Sequence, residues 1–332
     1  MLKNFEVAAE LLEIGELVAF PTETVYGLGG DAVNPCAVSR IYAIKGRPAN
    51  HPMIVHLPPG GDPEYWVDRL SDDARKLIDM FWPGPLTLIL KRAARIPAGV
   101  SGGQDSIGLR CPAHPVAQSL LTAFSKRRGG NGGIAAPSAN RFGCVSPTTA
   151  QHVQNEFGNT VYVIDGGQSE VGIESTILDL SRQLPVLLRP GPITQQQTSD
   201  VLGYPINFLE GCSSTFETLL RAPGMLKTHY APRTPLSLLP FNMLENLLSL
   251  RDNSVRFALI AHSSKAVRLA KAADIHFVSA PKDPYTYARE LYRTLRELDY
   301  AFFEQILVEK LSDSKEWIAV NDRLSRAAAS FI

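Results

Sequence analysis

The sequence predicts an α/β protein: a mixed, twisted β-sheet covered by helices, followed by a smaller α/β domain. Three observations carry this prediction. Short apolar runs alternate with stretches of helical period from about residue 5 to residue 190. Pro, Gly and Asn stand at the boundaries between them, where each has a conformational reason to interrupt the chain. The pattern then dissolves between Thr194 and Pro235, and a fresh alternation starts at Leu236. The expected organisation is a main domain over 1–205, a linker over 206–235 and a second domain over 236–332, with no internal repeat.

Phe5, Ala8, Ala9 and Leu12 share one helical face, and Gly15 closes that helix. Leu17 to Phe20 reads as a buried strand stopped by Pro21, before a glycine-rich turn. Asn34-Pro35 combines a capping residue with a first-turn proline, so a helix starts there and runs to Gly46-Arg47-Pro48. Met53 to Leu57 is a strand, and Ser71-Asp72-Asp73 opens a helix with acidic residues at its positive end. Trp82-Pro83-Gly84-Pro85 stops that helix and Leu86 to Leu90 forms a strand. Then follow a strand at Ile107 to Arg110, a helix from Pro115 to Phe124 and a strand at Ile134 to Ala136. Ser146-Pro147 repeats the capping signal, and strands are expected at Val161 to Ile164, Thr176 to Leu180 and Val186 to Leu188. In the second domain, strands are expected at Leu236 to Leu239, Phe257 to Ile260 and Phe277-Val278, with helices at Tyr285 to Leu298 and Glu316 to Ala328.

Apolar residues make up 45% of the 332 and charged residues 20%, a globular composition. Thirty-three basic residues balance thirty-three acidic ones, which argues against stable nucleic-acid binding. The basic cluster Lys126-Arg127-Arg128 beside GGNGG reads as a lengthened surface loop over Ser125 to Gly133. The four cysteines form no CxxC pair, so neither a zinc site nor a disulfide framework is expected, and a reducing cytoplasm fits. Glu6, Glu10 and Glu13 interrupt the N-terminal apolar positions, so no signal peptide or membrane span is expected.

Five segments carry polar residues at strand ends, where α/β sheets place ligand sites. PTETVYGLGGDA supplies Thr22, Glu23, Thr24 and Tyr26, and KGRPANHPMIVH supplies Lys45, Arg47, His51 and His56. SIGLRCP supplies Ser106 and Arg110, APSANRFGCVSPTT supplies Ser138, Asn140 and Ser146, and IESTILD supplies Ser175 and Thr176, with Arg189 following in LLRPGP. Lys45 and Arg47 alone would read as a solvated helix end. Joined by Arg110 and Arg189 they make a cationic pocket that calls for a polyphosphate. There is no GxxxxGK[ST] loop, GxGxxG fingerprint, GxSxG elbow or zinc-binding histidine pair, so Ser138 and Ser175 do not read as nucleophiles.

PTETVYGLG, KGRP with the proline and VH that follow, FWPGPLTLIL, GLRCPAHP, PSAN…SPT, GIESTI and LRPGPIT occur in that order. Together they closely resemble the YrdC-like family of threonylcarbamoyl-AMP synthases. The resemblance is continuous over about residues 5 to 200 and resumes at APGMLKTHYAP, which is similar to the linker of the long, two-domain form. It implies a YrdC-like sheet domain, a Rossmann-like C-terminal domain and a linker that covers the active site. It also implies a reaction: L-threonine, bicarbonate and ATP, with Mg²⁺, give threonylcarbamoyl-adenylate and pyrophosphate. A transferase partner then places the threonylcarbamoyl group on the tRNA adenosine beside the anticodon.

Carried over by motif, Lys45 and Arg47 would be the catalytic cations. The nucleotide would meet Lys45, Arg47, His51, Ser106, Ser138, Asn140, Ser146 and Arg189, with His229 and Tyr230 contributed by the linker. Threonine would be held by Thr24, His56, Arg110, the backbone of Ala136, and Ser175. No side-chain metal site is implied. Lys227-Thr228 and Met53 depart from the commoner family residues. Two other readings remain at this stage, a carbamoyl-adenylate-forming relative and a non-catalytic RNA-binding module.

Overall fold

The computed structural model describes residues 5–208, 221–250 and 254–331. It divides into two compact units, Met1–Phe142 with Ser146–Met225, and Gly143–Val145 with Leu226–Ile332. Of the expected linker, residues 209–220 lie outside the described residues, as does Cys212. No described helix is long and apolar enough to cross a membrane.

In the first unit the chain runs α1 (Phe5–Glu13), β1 (Val18–Phe20), β2 (Gly27–Asp31), α2 (Pro35–Lys45), β3 (Ile54–His56), α3 (Asp72–Phe81), β4 (Leu86–Lys91) and β5 (Ser106–Arg110). It continues through α4 (Pro115–Arg127), β6 (Ile134–Ala135), α5 (Ala150–Phe157), β7 (Tyr162–Val163), β8 (Thr176–Asp179), β9 (Val186–Arg189), α6 (Gln195–Leu202) and β10 (Asn207–Phe208). The strands form one mixed sheet in the order β10-β9-β8-β4-β5-β3-β6-β2-β1-β7.

One face of this sheet packs on α2, α3, α5 and α6 through a core that includes Val38, Ile41, Leu77, Phe157 and Leu202. On the other face α1 and α4 bury Leu12, Leu120 and Phe124 against Val18, Phe20 and Ile134. The two-residue period of strands then decides what remains. Val55, Leu88, Ile107 and Leu109 enter the first core. Their neighbours Ile54, His56, Thr87, Ile89, Ser106, Gly108 and Arg110 therefore share the opposite face, beyond the cover of α1 and α4. There Ile54, Ile89, Ile177 and Leu188 pack with Ala222.

Local chemistry sets the helix ends. Asn34 Oδ1 accepts from Cys36 N at 2.9 Å and Ala37 N at 3.3 Å, and Gly46 closes α2 at φ 62°. Ser71 caps α3 through Ala74 N at 3.2 Å. The expected helix start at Ser146-Pro147 is corrected: α5 begins at Ala150, capped by Thr149 Oγ1 on His152 N at 3.2 Å. Ser146 instead spends its hydroxyl on Glu174. The expected loop after Phe124 is also corrected, because α4 continues to Arg127. Arg127 pairs with Glu10 and Glu13, and Arg128 with buried Asp31, so those charges are neutralised locally. Helix α6 and strand β10 lie where the pattern had dissolved; a Thr194/Gln197 capping box starts α6, and Leu202 anchors it in the core.

The second unit comprises β11 (Leu236–Leu239), α7 (Phe241–Ser249), β12 (Phe257–Ala261), α8 (Ser264–Ala272), β13 (His276–Ser279), α9 (Pro284–Tyr300), β14 (Gln305–Glu309) and α10 (Ile318–Ala328). Its four strands are parallel in the order β11-β14-β12-β13. Strand β14, absent from the sequence expectation, takes a central place. Its terminal Glu309 accepts from His262 N and Ser263 N, both at 2.7 Å, so a carboxylate sits at the positive end of α8.

Candidate functional site

The site-bearing face of the first unit is polar at both ends of the parallel pair β3 and β5. Their register sets Ile54 beside Gly108 and His56 beside Arg110. Ser106 and Arg110, four residues apart on one face, are separated by about 13 Å at the usual strand rise.

At the amino end, α2 delivers Lys45, which is 2% exposed. Its Nζ donates to Ser138 O at 2.6 Å and also to Asn140 O. Lys45 thereby fixes the Ser138–Asn140 turn, while Phe142 N donates to Lys45 O at 2.9 Å. Arg47 Nη2 donates to Pro52 O at 2.8 Å, and its guanidinium lies 5.6 Å from the Phe142 ring centre. His51 packs edge-on against Phe142. Burial first, then the charges of Arg47 and Arg221, lower the His51 pKa from its ordinary value. Pro52 precedes β3 at the level of buried Ser106, so Arg47, His51 and Ser106 gather at one end.

At the carboxyl end stands Arg110, 4% exposed. Its Nε donates to Gly84 O at 3.2 Å, its Nη1 to Thr24 Oγ1 at 2.9 Å, and its Nη2 lies 2.7 Å from Glu23 Oε1. Beside it, burial and then the Arg110 charge push the His56 imidazole down to about 3, so the ring is neutral. Burial, followed by the Glu23 charge, pushes the Cys111 thiol up to about 12. Neither Glu23 carboxylate oxygen, nor Arg110 Nη2, nor His56 Nδ1 has a hydrogen-bond partner among the described residues.

Two further groups join this end. Arg189 donates from Nε to Ser175 O at 2.9 Å and from Nη2 to Ser175 Oγ at 3.0 Å. Ser175 Oγ is 2.8 Å from Thr87 Oγ1. Ser146 Oγ donates to Glu174 Oε1 at 2.6 Å, next to Ser175. Backbone bonds stitch the segments together: Tyr26 N to Pro147 O and Leu28 N to Pro137 O, each 2.8 Å, and Thr176 N to Pro85 O at 3.0 Å. Ala136 gives its N–H to Ile54 O at 2.9 Å, which ties this segment to the start of β3.

The residues singled out from the sequence thus fall in three places. Lys45, Arg47, His51, Ser106, Ser138 and Asn140 form the amino end. Thr24, His56, Arg110, Ser146, Ser175 and Arg189 form the carboxyl end, where Arg189 bonds to Ser175. His229 and Tyr230 belong to the second unit. There Tyr230, at φ 62°, stacks on Tyr292 with the Arg323 guanidinium 5.2 Å from its ring centre. Roles for Glu23, Thr87, Phe142 and Glu174 were not read from the sequence. Thr87 had a signal, as the polar position in LTLIL at the period that points away from the core. No group of three or more His, Cys, Asp or Glu gathers to hold a metal among the described residues.

A family model described as Telomere recombination, covering the Sua5, YciO and YrdC proteins, matches residues 10–191. A second, described as Threonylcarbamoyl-AMP synthase, C-terminal domain, matches residues 193–329. The chain is 35% identical to the threonylcarbamoyl-AMP synthase of Pyrococcus abyssi, over 98% of this chain and 94% of that one. It is 37% identical to the protein of that name from Bacillus subtilis, over 97% and 92%. The crystal structure of P. abyssi Sua5 complexed with L-threonine superposes with a TM-score of 0.84 at 33% identity, covering 98% of this chain and 94% of that one.

Proposed function

The chain belongs to the threonylcarbamoyl-AMP synthases of the long, two-domain form, and from that premise we propose that it condenses L-threonine, bicarbonate and ATP into L-threonylcarbamoyladenylate. Pyrophosphate is released, and the product serves a partner that modifies tRNA at the adenosine beside the anticodon. The observation that carries this reading is the division of the polar face: a cationic end at Lys45 and Arg47, and an end with unused buried hydrogen-bonding atoms at Arg110, Glu23 and His56. The L-threonine bound to the P. abyssi protein supports placing an amino acid in the family's site.

The chemistry follows from the two ends. The threonine amine and bicarbonate form a carbamate with loss of water. A carbamate oxygen then attacks the α-phosphorus of ATP, the bond to the bridging oxygen of the β-phosphate breaks, and pyrophosphate leaves. Negative charge spreads over the phosphates, and fixed cations stabilise it without rearranging. Arg47 supplies such a cation, with Mg²⁺ arriving on ATP. Lys45 contributes by holding the Ser138–Asn140 turn against the nucleotide. Arg110 suits a carboxylate because its planar guanidinium binds two oxygens at once. Spacing the ends across the sheet lets binding energy at both bring the reactants together.

The test is pyrophosphate release from ATP and bicarbonate with and without threonine. Release that depends on threonine is expected, and equal release without it would sink the proposal. Arg47→Ala should lower turnover by about 100-fold or more, as loss of a charge-stabilising group does, and Lys45→Ala should do likewise by releasing the Ser138–Asn140 turn. Arg110→Ala should mainly raise the threonine KM, by roughly 10- to 100-fold.

A further inference from the structure

Glu23 has no assigned role so far. It lies in the turn after β1, 5% exposed, and its only charged neighbour within ion-pair distance among the described residues is Arg110. That contact, Oε1 to Nη2 at 2.7 Å, is not aligned as a hydrogen bond, and both carboxylate oxygens lack a hydrogen-bond partner among the described residues. A buried carboxylate left with one misaligned ion pair carries a large desolvation cost that hydrogen bonds would offset. The rest of Arg110 is committed: Nε to Gly84 O and Nη1 to Thr24 Oγ1. One unused donor group, Nη2, therefore lies beside two unused acceptors.

A ligand that completes both must present an anion to Nη2 and a cationic donor to Glu23 within a few ångströms. An α-amino acid does this, because one carbon separates its carboxylate from its ammonium. The surroundings favour that polarity. His56 is neutral and adds no competing cation, and the Cys111 thiol stays protonated and adds no anion. We propose that Glu23 binds the α-ammonium of the substrate amino acid while Arg110 holds its carboxylate, so the pair reads the zwitterion. The proposal rests on the reading of threonine as substrate.

The test is calorimetric binding to the full chain of L-threonine and of its counterpart with a hydroxyl in place of the α-ammonium. Wild-type protein should prefer threonine by about 10- to 100-fold, the usual worth of a hydrogen bond to a charged group. Glu23→Gln should remove that preference to within about 3-fold by weakening threonine alone, and Glu23→Asp should restore part of it. If Glu23 merely positions Arg110, Glu23→Gln weakens both ligands by the same factor, and the proposal is overturned. Unchanged threonine affinity in Glu23→Gln overturns it as well. Should that variant not fold, equal affinity of wild-type protein for the two ligands is decisive against it. Wild-type protein that binds a different amino acid refutes threonine as substrate, and the same comparison with that acid and its hydroxy counterpart then judges Glu23.

Discussion

His56 is a base held neutral by two effects of the same sign, burial and the Arg110 charge. Its folded-state pKa of about 3 lies below the ordinary 6.5, so the unfolded chain binds a proton first as pH falls. Stability linked to His56 is therefore complete above 6.5 and is lost progressively between 6.5 and about 3. His56→Gln should flatten the fall in unfolding free energy across that window, measured by urea denaturation at a series of pH values. An unchanged slope would show that the ring is not held neutral. Residue types were legible at this scale and their partners were not. KGRP announced two cations, but nothing in its spacing says that Lys45 spends hydrogen bonds on the carbonyls of Ser138 and Asn140, more than ninety positions away. Glu23 stood in a segment noted for its polar residues, yet its significance depends on an arginine on another strand.

The segment Gly27–Asp31 has the composition of a turn and the structure of a strand, paired on one side with β1 and on the other with β6. Its glycines answer to crowding. A Cβ at Gly29 would lie 2.8 Å from both Ile134 Cγ2 and Phe20 Cε1, closer than side chains approach. Gly29→Ala should therefore destabilise by about 1–3 kcal/mol through overpacking, read as a lower urea midpoint with an unchanged slope. Strand propensity could not reveal this, because the requirement comes from neighbouring layers. Helix starts fared better, since a cap is a local device: Asn34 and Ser71 cap where their sequences indicate. At Ser146-Pro147 the same signal misled because Glu174 claimed the hydroxyl, and Thr149 took the capping place.

Each unit has its own apolar core, with Leu244, Leu259 and Leu307 central to that of the second. In that second unit Glu309 ties the end of β14 to the start of α8 through two short bonds. Glu309→Ala strands those donors and should cost about 2–3 kcal/mol, seen as faster amide exchange in β12 and β14. Unaltered exchange there would mean that water replaces the carboxylate at no cost. By itself the sequence determined the alternation of strands and helices, the helix caps at Asn34 and Ser71 and, through seven ordered motifs, the family. Those are properties of short windows, where period and turn chemistry act within a few residues. Only the tertiary structure decided the strand order, the central placing of β14 and the strand at Gly27–Asp31. It alone set Arg110 against Glu23, because these depend on which distant segments share one face and on how deeply burial removes them from water.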